Sequence, residues 1–346
     1  MATSTSKLTF KPKVVTKRLV AVLPERAQDI INRRYGLGED DTRMTLEAIG
    51  QIYGITRERV RQIENYSLAT IHKSDQYKKE QAVFDELETL VHGMGTIVAE
   101  DEFLRHMAKD TSTQNHIHFL LVLGSSFVRM KEDKHFVHRW HVDADVAEKV
   151  ENAIHKLYTN LKDEDLISES EIIRAFLEHL QDVSEQYRDE EILKRWLSLS
   201  KKVDRNPLGQ WGRAESASVS PRGIRDYAYL VISQHGSPMH FSEVARQIEK
   251  VFQKKAHRAT THNELIRDDR FVLVGRGLYA LTDWGYMQGV VKDVIKEILR
   301  KDGPLTREEI VDRVLKERYV KENTIAVNLQ DTDVFRKTDE GKYELV

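Results

Sequence analysis

The sequence predicts a mainly α protein, an N-terminal helix-turn-helix domain followed by a tandem array of small winged-helix (α+β) domains. Three observations predict it. Two helical runs with threonine caps flank a glycine turn between residues 45 and 72. Beyond residue 80, short apolar steps recur at intervals near 70 residues. Alternating strand pairs close most of the units so defined. A chain of 346 residues exceeds one small core and suits several modules.

Residues 1–15 read as a flexible basic tail. Leu23 and Pro24 then open a helical run, because a first-turn proline gives up a donor that has no partner there. Ile30, Ile31 and Tyr35 follow at helical spacing, Gly36 and Gly38 stop the run, and Glu39 to Asp41 form an acidic loop. Thr45 caps the next helix, whose Leu46, Ile49 and Ile52 recur every three residues; Gly54 ends it and Thr56 caps its successor. Two short helices around a tight glycine turn read as helix-turn-helix.

At about 100 degrees per residue, the second helix (residues 56–72) gathers Val60, Ile63, Ser67 and Ile71 on one face. Arg57, Glu58, Arg61, Gln62 and Asn65 gather on another. Arginine and glutamine can pair with purine edges, glutamate can accept from cytosine, and an arginine can instead hold phosphate. A solvated face stitched by its own charges is the alternative. Charge is skewed the same way: residues 1–80 hold 15 basic and 10 acidic residues, a net of +5 against −2 for the whole chain, which leaves −7 for the rest. The positive end is the one suited to phosphate.

The segments LPERAQDIINRRYGL and MTLEAIGQIYGITRERVRQIE resemble region 4 of the sigma-70 family of transcription initiation factors, over residues 16–73. The resemblance implies a helix-turn-helix whose last helix enters the major groove of an upstream promoter element, and a domain that docks on the beta flap of core RNA polymerase. It implies base or backbone reading by Arg57, Glu58, Arg61 and Gln62, with Arg59 a backbone or partner contact; Thr56 at the helix start and Asn65 on the outward face are expected to add DNA contacts. Arg33, Arg34 and Arg43 are expected to add phosphate contacts. Beyond Glu64 the chain has Tyr66, Ala69 and Thr70 where the family often has basic residues, so the family's activator contacts are not carried over there. About 15 residues precede the motif, too few for a promoter-melting region, so an autonomous primary sigma activity is not expected.

The repeated steps are Gly95-Thr96-Ile97, Asp165-Leu166-Ile167, Ser237-Pro238-Met239 and Gly303-Pro304-Leu305. Ser168 with Glu171, and Thr306 with Glu309, have capping-box spacing. Strand pairs fall at 127–130 with 135–140, 271–274 with 278–281, and 334–337 with 342–346. The predicted units are 80–142, 145–213 with a degraded wing near 208–212, 222–286 and 288–346. In the third, SPMHFSEVARQI and THNELIRDDRFVLVGRGLYALTDWGY resemble the HARE-type helix-turn-helix, a winged module found in the delta subunit of bacterial RNA polymerase. Gly275 and Gly277 let its hairpin turn tightly and expose Arg276 at the tip, suited to a minor groove or phosphate. A purely structural wing on a protein-binding module is the alternative, given the acidic remainder.

Zero cysteines exclude disulfide scaffolds, thiolate zinc sites and cysteine nucleophiles. The most apolar stretch, residues 119–128, is far shorter than a span of roughly 20 residues, and the start lacks a secretory signal's apolar core. No membrane partner is expected, and a cytoplasmic, nucleoid-associated location is. His116, His118, His135, His138 and His141 have no acidic ligand frame, and no metal is expected. Glu132-Asp133-Lys134 resembles a nuclease carboxylate and lysine, but a charged hairpin turn explains all three. Without a phosphate loop, HExxH or nucleophile elbow, the chain is not expected to be an enzyme or to hold a cofactor. Trp140, Trp196, Trp211 and Trp284 are expected in cores. The expected function is a DNA-binding transcription factor working on double-stranded promoter DNA and RNA polymerase. A delta-like polymerase scaffold without sequence readout is the alternative, and a DNA-processing enzyme a second.

Overall fold

The computed structural model describes residues 8–180, 187 and 189–346, and these form two compact units. One runs to Asp204 and takes in Trp211–Ala214; the other comprises Arg205–Gln210 and Glu215–Val346. Helices dominate both, and every paired sheet is small and antiparallel.

The first unit begins with α1 (Pro12–Val20), α2 (Glu25–Tyr35), α3 (Leu46–Tyr53), α4 (Arg57–Lys73) and α5 (Asp75–Lys79). Part of the expected loose tail is therefore helix. Pro12 occupies the first turn, and Val15 and Leu19, four apart, are buried along with Thr16 and Val20. Residues 1–7 of that tail lie outside the described residues. Next come α6 (Gln81–Gly93), β1 (Ile97–Ala99), α7 (Glu100–Met107), α8 (Thr111–Leu123), β2 (Val128–Met130) and β3 (Arg139–His141). This is winged-helix order. The sheet runs β1-β3-β2, with Val98 and Arg129 both paired to Trp140.

One core joins these two stretches. Val15, Leu19, Ile31, Tyr35 and Ile71 from the first cluster with Phe84, Leu87, Phe103, Phe119, Leu120 and Trp140 from the second. Polar bonds cross it too: Thr16 Oγ1 lies 2.6 Å from His116 Nδ1, and Asn115 Nδ2 donates to Asp41 O at 2.6 Å and to Gly36 O at 3.1 Å. The packing is thus continuous across residues 75–80, where the sequence suggests a boundary.

A second winged arrangement follows: α9 (Ala144–Asn160), α10 (Glu169–His179), α11 (Glu190–Leu197), β4 (Val203–Arg205) and β5 (Trp211–Arg213). Ser168 and Glu171 form the expected capping box. The short apolar step is an isolated bridge, Ile167 to Trp211. The wing expected to be degraded is a paired β4 and β5 of three residues each, as long as the strands β2 and β3, and Trp211 is buried against Ile172, Phe176 and Trp196.

The second unit repeats the order twice. Its first half has α12 (Ile224–His235), β6 (Met239–His240), α13 (Phe241–Phe252), α14 (Arg258–Arg267), β7 (Phe271–Gly275) and β8 (Leu278–Leu281), in sheet order β6-β8-β7. Its second half has α15 (Val291–Asp302), α16 (Arg307–Glu317), α17 (Glu322–Asn328), β9 (Phe335–Lys337) and β10 (Tyr343–Leu345), with Leu305 bridged to Tyr343. Thr306 and Glu309 form the other capping box. Buried Arg318 ties the linker to the second half by donating to the carbonyls of Met287, Gly289 and Glu317. Tyr319 N donates to Val274 O.

Candidate nucleic-acid interface

The helix-turn-helix is built by caps, one glycine and a small core. Thr45 Oγ1 accepts from Ala48 N at 3.1 Å and Thr56 Oγ1 from Arg59 N at 3.2 Å, so each helix starts on a side-chain oxygen. Gly54 ends α3 in the left-handed region at φ 61, which a residue with a Cβ adopts at a cost. Ile30, Ile49 and Val60 are fully buried at the centre, with Met44, Leu46, Tyr53, Ile55 and Ile63 packed around them. Ser67 and Ile71 continue the buried stripe of α4. Ile52, expected inward at its spacing, is 51% exposed, because α3 is only eight residues long and buries a single narrow stripe.

The opposite face of α4 is open. Thr56, Arg57, Glu58, Arg59, Arg61, Gln62 and Asn65 are all exposed. Two pairs stitch it internally. Arg61 Nε and Nη2 donate to the two oxygens of Glu58 at 2.9 and 2.6 Å, and Arg59 Nη1 donates to Gln62 Oε1 at 3.0 Å. The bond from Arg61 holds the Glu58 carboxyl below the usual carboxylate range and raises the guanidinium in turn. The side chains expected to read bases are thus exposed, and four of them pair with one another as a solvated face would.

The three arginines expected on phosphate have internal anchors. Arg33 Nε donates to Asp29 at 2.8 Å; Tyr53 Oη bonds the same carboxylate, and the two together hold Asp29 below its ordinary pKa. Arg34 Nε donates to Glu64 at 3.1 Å and its Nη1 to Met44 O at 3.1 Å. Arg43 Nε donates to Asn115 Oδ1 at 2.6 Å. Sequence periodicity missed Glu64, buried at 8% exposure, which also accepts from Tyr35 Oη at 2.8 Å. Burial, and then the Glu64 charge, push the Tyr35 phenol far up. Tyr66 is 73% exposed on α4.

In the second unit the wing turn is as expected. Gly277 lies at φ 72, and an added Cβ there would come within 2.6 Å of the His240 ring. Arg276 is exposed beside it. The Arg-Asp-Asp-Arg-Phe segment is structural: Arg270 donates to Asp268 and, at 2.9 Å, to the buried Asp226, whose carboxylate also accepts from the backbone of Arg222 and Gly223.

The other candidate chemistries resolve into local structure. Glu132 accepts from Lys201 Nζ at 2.6 Å, and Asp133 accepts from the backbone of His135 and Phe136, the pattern of a braced turn. His116, His118 and His141 are buried, and burial lowers the pKa of each. Trp140, Trp196 and Trp211 are core residues, and Trp284 is half-buried. No helix among the described residues is long and apolar enough to cross a membrane.

Residues 19–73 match the family described as Sigma-70, region 4, and residues 224–284 match the HARE-HTH family, a helix-turn-helix domain described as that of a restriction endonuclease among others. The chain carries both domains. It is similar to the RNA polymerase sigma factor SigA of Bacillus sp., 40% identical over 57 residues, which are 16% of this chain and 15% of that protein. It is also similar to SigA of Nostoc sp., 51% identical over 53 residues, 15% of this chain and 13% of that one. A third relative is SigA1 of Synechococcus elongatus, 51% identical over 51 residues, 14% and 12% respectively. The chain thus spans only about an eighth to a seventh of the length of these curated relatives.

Proposed function

We propose that this protein is a DNA-binding transcription factor that reads promoter-like duplex DNA through α4 and works with RNA polymerase at initiation. One observation carries the reading. The seven residues expected to contact DNA lie exposed along the Thr56 helix, the four readers carried over from the sigma resemblance among them, and Glu58, Arg59, Arg61 and Gln62 spend their side-chain bonds on one another. Arg57, Arg61 and Gln62 supply the forked donors that purine edges and phosphates accept; Glu58 supplies an acceptor for cytosine. Arg33 remains available to a flanking phosphate, since its pairing with Asp29 is exposed. The polymerase contact rests on the names of the relatives, each an RNA polymerase sigma factor.

A polymerase-associated scaffold without base readout is favoured by a different fact: beyond residue 80 the chain carries −7. Selection from a randomised duplex pool, with the full chain and an Arg61→Ala plus Gln62→Ala variant across a salt series, separates the two. A selected motif that the variant loses supports α4 readout. Equal, weak and unselective binding by both proteins refutes it and leaves the scaffold.

A further inference from the structure

A cavity of about 510 Å³ opens within the first unit, between the helix-turn-helix and the winged module next to it. It is lined by Arg34, Arg43 and Arg129, by Glu64 and His118, by Val122, and by the rings of Tyr35, Phe127 and Trp140. Each guanidinium is anchored through Nε and, among the described residues, keeps terminal nitrogens spare. Arg34 spends Nε on Glu64 and Nη1 on Met44 O, leaving Nη2. Arg129 spends Nε and Nη2 on Glu100 at 2.8 and 3.0 Å, leaving Nη1. Arg43 spends only Nε, on Asn115, leaving both.

The two carboxylates nearby are already engaged. Glu64 accepts from Arg34 and Tyr35, and Glu100 accepts from Arg129 and, at 2.8 Å, from Trp140 Nε1. Three guanidinium groups thus line the cavity against these two bonded carboxylates and the exposed Asp101, whose charge also acts on Arg43, so what the space offers is their spare N–H donors. His118, 5% exposed, lines the same cavity with neither ring nitrogen hydrogen-bonded among the described residues; its approach to Glu100 is 3.6 Å. A buried imidazole whose nearest polar neighbour is the Glu100 carboxylate at 3.6 Å gains from a closer partner.

We propose that this cavity binds a small phosphorylated molecule of nucleotide size, held by the spare nitrogens of Arg34, Arg43 and Arg129, with His118 bonding a further oxygen. Guanidinium forks converging from three elements match the several oxygens of a phosphate better than the two of a single carboxylate. The aromatic wall suits a planar apolar part, and the volume lies in the range of small-ligand pockets. A duplex cannot enter a space of this size, so the phosphate source is a free small molecule. Burial, with the like charges of Arg129 and Arg34 and against the pull of Glu100, already lowers the pKa of Arg43; an arriving dianion relieves that repulsion. Arg34 and Glu64 put the ligand in direct touch with α2 and α4. The inference does not depend on base readout by α4.

Calorimetric titration of the full chain with sodium pyrophosphate and, separately, with ATP tests it. Arg43→Gln removes a donor set at the mouth, and Val122→Phe fills the cavity while keeping every charge; circular dichroism melts check that each variant folds. The expected result is one-to-one binding of at least one probe, weakened about tenfold or more by both variants. Equal affinity for the two probes identifies the phosphates as the whole ligand, and tighter ATP binding adds the base against the aromatic wall. No saturable binding up to millimolar probe, or binding that both folded variants leave within about twofold, overturns the proposal.

Discussion

Glu58→Gln is the sharpest probe of the α4 face, because in the free protein this carboxylate occupies the fork of Arg61 through two short bonds. The side chains are 57% and 52% exposed, so water screens the pair and its loss hardly touches folding. The melting temperature should stay within about two degrees of the parent. On DNA the effect is larger. The substitution deletes a negative charge beside the duplex and frees a guanidinium for one more phosphate, so the slope of log affinity against log salt should steepen by about 0.9. Binding to a scrambled duplex should tighten, and preference for a selected one should fall, because the uncharged amide no longer repels phosphate and is a weaker acceptor for a base. Arg61→Ala should move the other way, losing about fivefold to a hundredfold on the selected duplex. Fluorescence anisotropy with both duplexes, from about 50 to 300 mM salt, reads every quantity. An unchanged slope with unchanged affinity on both duplexes would place α4 away from the DNA and refute the reasoning.

Other consequences concern stability. Ile49→Ala empties the centre of a core with only three fully buried residues and should cost about 2–5 kcal/mol in denaturant unfolding of the first unit; a cost near zero would mean that Ile30 and Val60 close the gap. His116, His118 and His141 bind protons less readily folded than unfolded, so the unfolded state takes up more protons below the ordinary value of 6.5. The first unit should therefore hold its melting temperature above that pH and lose it progressively below. Glu100, which burial disfavours but His118 and Arg129 hold well below the carboxylate range, extends the loss once pH falls under about 4.5. A melting temperature that is flat between pH 8 and pH 5.5 contradicts the histidine argument. Asp226→Asn weakens the acceptor of Arg270 and of two backbone amides, and should cost the second unit about 2–3 kcal/mol in the same assay.

Much of this was legible in the sequence because its signals are local. Thr45, Thr56, Ser168 and Thr306 announce helix starts through bonds three residues long, and those bonds are present. The β7–β8 and β9–β10 wings follow from period-two alternation around glycine turns, and the β2–β3 wing from alternation around a charged one. What was hidden depends on partners far along the chain. Residues 12–15, the first turn of α1, read as the end of a basic tail until α8 offers somewhere to bury Val15. Arg34 and Arg43 read as phosphate contacts because nothing nearby in sequence claims them; their partners, Glu64 and Asn115, lie 30 and 72 residues away. Glu64 lies at the edge of the apolar stripe of α4, and periodicity cannot tell a buried, bonded carboxylate from a solvated one.

The core that runs unbroken from α1 into the winged module means that α4 has no swivel relative to that module. A recognition helix on a tether can follow a promoter whose elements drift in spacing. A fixed one imposes a phase: any second foothold offered by the same unit must fall at a set azimuth around the duplex. Each inserted base pair turns that foothold by about 34 to 36 degrees, and half a helical turn carries it to the far side of the DNA. Bound sites should then tolerate insertions of whole turns between paired footholds better than insertions of half turns, a ruler written into α1 and α8 and not into the residues proposed to read bases.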